Sequence, residues 1–270
     1  MSTSFVLRVS PLVFFLTLLS SYVYSAEKIE FPPVEVPQKK LFVGEKLVYR
    51  IRYLRIPVGR AEAEVKEIVQ INNRPAYHIV VRVQSYPAIN FIYPVRDEHH
   101  SFIDAENLYS LKYQKNIREG RHHAEEMMTY DQESHTAHIV NLETKSEKQI
   151  PIPENVQDQL SCGYFFRTLL IKPRSSVFIP VNADSKNWAL EVKVHDVKSM
   201  KIKGIGRFHA LEAEPLIQFR GIFVKQGKIR GWISLDERRI PLKMKVKVPI
   251  LGSVVAELSE YHPGREEAGV

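Results

Sequence analysis

Cysteine is almost missing from this 270-residue chain: Cys162 stands alone, so no intrachain disulfide can form and the fold must rest on packing and hydrogen bonding. Long apolar runs are missing too. The longest, from about Val9 to Leu19, falls short of the ~20 residues that a membrane-spanning helix needs. Local chemical signatures are equally scarce. There is no Gly-x-Ser-x-Gly elbow, no helical His-x-x-x-His pair and no dinucleotide fingerprint, and "GIGRF" at residues 204–208 has too few glycines to cradle a phosphate. These absences remove the disulfide-stapled scaffolds, the polytopic membrane proteins and the best-marked enzyme classes.

The start of the chain speaks to compartment. "MSTSFVLRVSPLVFFLTLLSSYVYSAEK" carries one cation, Arg8, then the apolar run, then small residues ending at Ser25. That is the pattern of a secretory signal peptide over residues 1–25, with cleavage expected between Ser25 and Ala26. No cysteine follows the run, which argues against a lipid-modified N-terminus. The mature chain is therefore expected in the periplasm or outside the cell, with no transmembrane segment. The 38 Lys and Arg against 31 Asp and Glu give a formal charge of +7, and loss of Arg8 leaves +6. In an exported protein such a balance meets anionic headgroups and wall polymers, so nucleic acid is not expected as a partner.

Residues 26–40 contain "EKIEFPPVEVPQKK", whose prolines and mixed charges predict an extended lead-in. Period-two patterns dominate after it. In "EKLVYRIRYL", Leu47, Tyr49, Ile51 and Tyr53 share one parity while Arg50 and Arg52 take the other, and "RIPVGR" offers a Pro and Gly turn before Arg60. In "RRIPLKMKVKVPILG", Leu242, Met244, Val246 and Val248 alternate with Lys243, Lys245 and Lys247. The apolar row should face inward and the lysines water, because a one-residue slip would bury three ammonium groups. Repeated alternation with no helices between predicts antiparallel sheet with one covered face.

One segment breaks the pattern. "PENVQDQLSCGYFFRTLLI" spaces Val156, Leu160 and Tyr164 by four and follows with Phe165 and Leu169, which predicts one helix over about 154–170. The fold class expected is thus mainly β: a strongly curved antiparallel sheet, an open barrel or β-roll, with one mid-chain helix against it. No Gly- or Ser-rich boundary divides the chain, so residues 41–261 should form a single β-rich domain, with "HPGREEAGV", 262–270, as a loose tail.

The helix stretch "VQDQLSCGYFFRTLL", with "GEKLVYRIRYLRIPVGRAEAEV" before it and "GRFHALEAEPLIQF" and "GKIRGWISLDERRIPLKMKVKVPILGSVVAEL" after it, resembles the bacterial family called domain of unknown function 3108. The resemblance spans nearly the whole mature chain. It implies a mostly antiparallel β fold and an envelope setting, and brings no established activity. The positions that match best are Trp232 with Ser234, Asp236, Arg239 and Pro241, then Asp158, Ser161 and Arg167 on the helix.

The residues that could carry chemistry gather in "VRDEHHSF", with Asp97, Glu98, His99 and His100, and "REGRHHAEE", with His122 and His123. Imidazole and carboxylate suit both metal binding and proton transfer, so a hydrolase or metal-dependent enzyme is one alternative. Adjacent histidines on a strand point to opposite faces, however, so each pair gives a site one ligand at most. Ser161 and Cys162 lack any marked partner, Cys162 reads as a small buried apolar group, and Asp158 suits a helix N-terminus. No catalytic residue, metal or cofactor is therefore assigned. The reading carried forward is a non-catalytic envelope protein binding a lipid-like amphiphile or a partner protein, with Tyr49, Tyr53, Phe165 and Trp232 toward the ligand. A structural or assembly role in the envelope is the other alternative.

Overall fold

The computed structural model describes residues 41–219, 222–223, 228–248 and 252–265. The expected signal peptide 1–25, the lead-in 26–40 and the end of the tail, 266–270, lie outside the described residues. Eight strands come first: β1 (Lys46–Tyr53), β2 (Ile56–Ile71), β3 (Arg74–Ser85), β4 (Arg96–Asp104), β5 (Ser110–Glu119), β6 (His122–Asp131), β7 (Thr136–Asn141) and β8 (Glu147–Pro151). A one-turn helix, α1 (Pro87–Asn90), interrupts the β3–β4 connection, and α2 (Ser161–Thr168) follows β8. Then come β9 (Ser175–Ala183), β10 (Lys186–Ile202), β11 (Gly206–Phe219), β12 (Ile222–Phe223), β13 (Lys228–Ser234), β14 (Pro241–Val248) and β15 (Gly252–His262).

The strands form one antiparallel sheet in the order β8-β7-β6-β5-β4-β3-β2-β1-β15-β14-β13-β11-β10-β9, with the short β12 beside β11. Two meanders are thus joined through the first and last strands, where Ile51 faces Ala256 and Tyr53 faces Val254. The edges β8 and β9 are consecutive in sequence, and the connection between them holds α2. The sheet curls around that helix: Tyr77, Ile79 and Ile103 from one half and Ile179, Leu190, Val192 and Leu211 from the other share a core with Phe165, Phe166 and Leu169. Elements far apart in the sheet order can share a core only if the sheet bends back on itself, so the expected mainly β, strongly curved architecture with a mid-chain helix is present.

The connection also ties the two edges. Val156 O accepts from Ser110 N at 3.1 Å, Gln157 N donates to Pro180 O at 2.8 Å, and Asn182 N donates to Gln157 O at 2.8 Å. Asn187 Nδ2 reaches Pro151 O at 2.7 Å. This extended pairing explains why the helix is shorter than its spacing predicts. Val156 and Gln157 are used as a strand-like bridge, and the helix cannot start until Asp158 turns the chain, its Oδ1 accepting from Leu160 N at 2.7 Å and Ser161 N at 2.8 Å.

The alternating rows sit as their parity requires. Leu47 and Ile51 are buried and Tyr49 and Tyr53 partly so, while Arg52 pairs with Glu257 on the other face at 3.1 Å. Leu242 and Val246 are buried and Met244 partly so; Lys245 and Lys247 are exposed and Lys243 pairs with Glu257 at 3.1 Å. The side chain of Val248 lies outside the described residues. The first hairpin turns earlier than expected. Leu54 and Arg55, both at positive φ (48° and 78°), make the bend, and Pro57 and Gly59 fall inside β2. Gly59 is needed there for close approach, since a Cβ would lie 2.4 Å from Gln84 O.

Candidate functional site

The interior polar groups fall into a few separate arrangements. At the start of α2, Asp158 is fully buried, and its Oδ2 accepts from Ser101 Oγ and Ser110 Oγ, both at 2.6 Å. Its own N–H donates to Ser110 Oγ and Ser161 Oγ at 2.8 Å. Burial pushes the Asp158 carboxyl up, against the pull of those hydrogen bonds. Among the described residues no histidine or lysine joins this cluster, and the Ser161 hydroxyl is spent on the cap, accepting from Asp158 N. Cys162 is buried beside it, its Sγ donating to Gln159 O at 3.3 Å, with burial pushing its thiol up to about 12. A thiol so raised is not a nucleophile.

At the other end of the helix, Arg167 is 6% exposed and Glu45 1%. Their contact is a fork: Nη1 lies 2.7 Å from Glu45 Oε2 and Nη2 donates to Oε1 at 2.8 Å. Arg167 Nε donates to Arg239 O at 3.0 Å and Nη2 to Arg238 O at 3.1 Å, and the guanidinium lies 5.3 Å from the Tyr164 ring centre. The β13–β14 connection that offers these carbonyls is shaped by its own polar residues. Ser234 Oγ donates to Asp236 Oδ1 at 2.9 Å and accepts from Ile240 N at 2.7 Å, while Arg238 N donates to Asp236 Oδ1 at 3.0 Å. Tyr49 Oη closes the set on Pro241 O at 2.8 Å. Asp158, Ser161, Arg167, Asp236, Arg239 and Pro241 therefore all fasten α2 and its neighbouring turn to the sheet.

The pairs His99/His100 and His122/His123 do not converge on one site. His99 faces inward, its Nδ1 2.7 Å from Tyr113 Oη, and burial pushes it down to about 4. His100 faces the other way, its Nδ1 2.9 Å from His78 Nε2 and its Nε2 3.1 Å from Glu98 Oε1; burial lowers both His78 and His100. His122 and His123 are exposed at the start of β6. Among the described residues, no three His, Cys, Asp or Glu side chains are grouped to hold a metal ion. A separate carboxyl pair lies near the β5–β6 turn: Asp97 and Glu119 are 2% and 4% exposed. Burial first, and the neighbouring Glu119 charge with it, pushes Asp97 up to about 8, while Arg118 N donates to its Oδ1 at 2.9 Å and lowers it.

The inward row changes character along the sheet. Beside α2 and in the cluster of Leu47, Ala210, Leu242 and Leu258 it is fully buried. Toward the β1–β2 hairpin the buried Ile51, Ala61, Val83, Val254 and Ala256 are joined by Tyr53, Val58, Val81, Val95 and Met244, all only partly buried. Tyr49 touches both clusters. Of the four aromatics expected near a ligand, Tyr49 and Tyr53 stand on this row, and Phe165 sits in the helix core. Trp232 pairs with Lys243 and Glu212 in register and packs, partly buried, against the cluster of Leu47, Ala210, Leu242 and Leu258. Glu45, Ser101, Ser110 and Glu119 carry polar interior roles that the sequence reading did not single out. The one available signal was parity: Ser101 shares the inward side with Ile103.

Comparison with known proteins adds a family and a fold. The model of the family described as "Protein of unknown function (DUF3108)" matches residues 48–259, more than three quarters of the chain. No curated protein matches. A β-barrel-like protein of the domain of unknown function DUF1849 from Brucella abortus superposes with a TM-score of 0.56 at 10% identity, over 83% of this chain and 99% of that one. A protein described as exported with a YmcC-like fold, from Bacteroides fragilis, aligns at a TM-score of 0.30 and 9% identity, over 83% of this chain and 100% of its own. A protein described as a lipoprotein, from Parabacteroides distasonis, gives 0.32 at 9% identity with the same coverage, 83% and 100%.

Proposed function

We propose for this chain, which belongs to the DUF3108 family, a non-catalytic role in the cell envelope: uptake of the apolar part of an amphiphile at the end of the curled sheet away from α2. The observation that supports this is the partly exposed inward row of Tyr53, Val58, Val81, Val95 and Met244. An inner apolar face left partly wet, beside a core that is otherwise closed, is the form in which barrel-like proteins receive a chain-like ligand. Export, read from the leader pattern of residues 1–25, brings the protein among acyl and isoprenoid lipids. Neither the histidines nor Ser161 and Cys162 offers a competing reaction centre.

The test is native mass spectrometry and lipid extraction of the protein recovered from its own envelope, with a fluorescent fatty acid as probe. The same spectrum reads the N-terminus, expected at Ala26. Val81→Asp is expected to weaken probe binding at least tenfold in a folded protein, because it puts a charge on the wet part of the row. If no lipid copurifies and the wild-type protein ignores the probe, the binding role falls and the structural or assembly role takes its place.

A further inference from the structure

Seven large hydrophobic side chains are exposed among the described residues, and four of them, Leu54 (54%), Ile56 (60%), Phe91 (99%) and Ile92 (82%), lie in or next to two connections at one end of the sheet. Backbone hydrogen bonds hold these connections together. Tyr86 N donates to Val58 O at 3.0 Å and Ser85 N to Val95 O at 3.1 Å, and Gly120 N of the β5–β6 turn donates to Pro94 O at 2.8 Å. Leu54 also lies over Gly252, where a Cβ would be 2.4 Å from its Cδ2. The β1–β2, β3–β4 and β5–β6 connections therefore form one continuous, braced tip.

The charge of that tip has one sign. Across residues 54–60, 86–97 and 118–123, Arg55, Arg96, Arg118 and Arg121 are all exposed, while the exposed Arg60 pairs with Glu62 at 2.5 Å. The same stretches hold just two carboxyl groups, Asp97 and Glu119, and both are buried. Apolar side chains standing in water, ringed by guanidinium groups with their carboxylates withdrawn, suit a surface that is apolar below and anionic on top. A protein partner of ordinary surface composition would not call for this separation of apolar tip and cationic ring.

We propose that this tip docks on an anionic phospholipid bilayer, with Phe91 and Ile92 entering the interface and Arg55, Arg96, Arg118 and Arg121 meeting headgroup phosphates. The docking stands independently of the ligand role above, although it would set the partly wet inner row next to the lipid. The bracing matters physically, because a backbone already held at the tip loses little freedom when the side chains it presents insert.

The secreted form of the chain should sediment with vesicles of phosphatidylcholine and phosphatidylglycerol at 70:30 and bind pure phosphatidylcholine at least tenfold less. Phe91→Ser with Ile92→Ser, and separately Arg55→Glu with Arg121→Glu, should each weaken sedimentation at least tenfold. Leu170→Ser with Leu235→Ser, exposed elsewhere, should leave it unchanged. All these sites are exposed, and a far-ultraviolet spectrum confirms that each variant is folded. Phe91→Trp supplies a second reading: the emission of the introduced indole should shift to the blue on adding anionic vesicles. Absence of wild-type sedimentation, equal sedimentation with both vesicle types, or an unshifted emission from the Phe91→Trp variant would overturn the proposal and turn the tip over to a protein partner.

Discussion

Replacing Arg167 by methionine isolates the buried ion pair that fastens α2 to the start of β1. The substitution keeps most of the side-chain length and its packing beside Tyr164, and removes the guanidinium. What remains is Glu45, 1% exposed and without its countercharge, and two carbonyls, Arg238 O and Arg239 O, that lose their donors. Removing one partner of a buried ion pair costs about 3–5 kcal/mol, a large share of the ~5–15 kcal/mol that holds a typical domain folded. Urea unfolding followed by far-ultraviolet circular dichroism measures the loss. A double variant, Glu45→Met with Arg167→Met, removes the stranded carboxylate as well, so it should be more stable than the sum of the two single losses predicts, by roughly 2 kcal/mol or more. Arg167→Lys should recover little, because an ammonium cannot fork onto Glu45 while also reaching the loop carbonyls. A cost under about 1 kcal/mol for Arg167→Met, or a double variant equal to the sum, would refute the reasoning.

Asp97 should make stability depend on pH: with its folded pKa near 8 against an ordinary 3.8 in the unfolded chain, the native state holds the extra proton in between, so this stabilisation is complete below about pH 4 and lost as pH rises through about 8. Asp97→Asn should flatten that decline, which runs at up to about 1.4 kcal/mol per pH unit, and identical urea profiles for the two proteins would sink the idea. Two glycines should respond in opposite directions. Gly264→Ala forces a Cβ to 2.4 Å from Glu45 N and 2.5 Å from Val43 O, and should lower stability by about 1–3 kcal/mol; Gly163→Ala in α2 meets nothing within 4 Å and should raise it by about 0.5–1 kcal/mol, both read as shifts in urea midpoint.

What was legible in the sequence is what a strand writes locally. Leu47 and Ile51 against Arg50 and Arg52, and Leu242 and Val246 against the lysines, need only the two-residue period to be read, and that period also carries the antiparallel fold class. The helix was legible in kind and too long in extent, because nothing near Val156 reveals that Ser110 and Pro180 claim its backbone neighbours. The first turn was misplaced for a similar reason. Pro57 and Gly59 look like turn residues, yet Gly59 is there to let Gln84 O pass, and Leu54 and Arg55 accept the left-handed bend. The Glu45–Arg167 pair joins residues 122 positions apart, and neither residue type nor spacing foretells it.

The distribution of buried polarity follows from the path of the chain. Because β8 and β9 are consecutive strands yet opposite edges of the sheet, the segment between them must cross the interior, and every backbone group it carries inside needs a partner. Many of the buried polar side chains gather along that crossing. Gln157 Nε2 donates to Leu108 O at 2.9 Å, Gln132 Nε2 to Ser110 O at 2.7 Å, and Ser101, Ser110 and Ser161 surround Asp158. Arg167 then satisfies the carbonyls of the next turn. Asp158, Ser161 and Cys162, which would suggest catalysis in another fold, are here consumed by topology, each holding at least one hydrogen-bond partner. At the end of the sheet beyond this crossing the inward row is apolar from Tyr53 to Met244, apart from the buried carboxyl pair Asp97 and Glu119 beside Val83 and Val95. A search for function in this fold should therefore start from the apolar end, where partly exposed side chains are left over beside the buried Asp97 and Glu119.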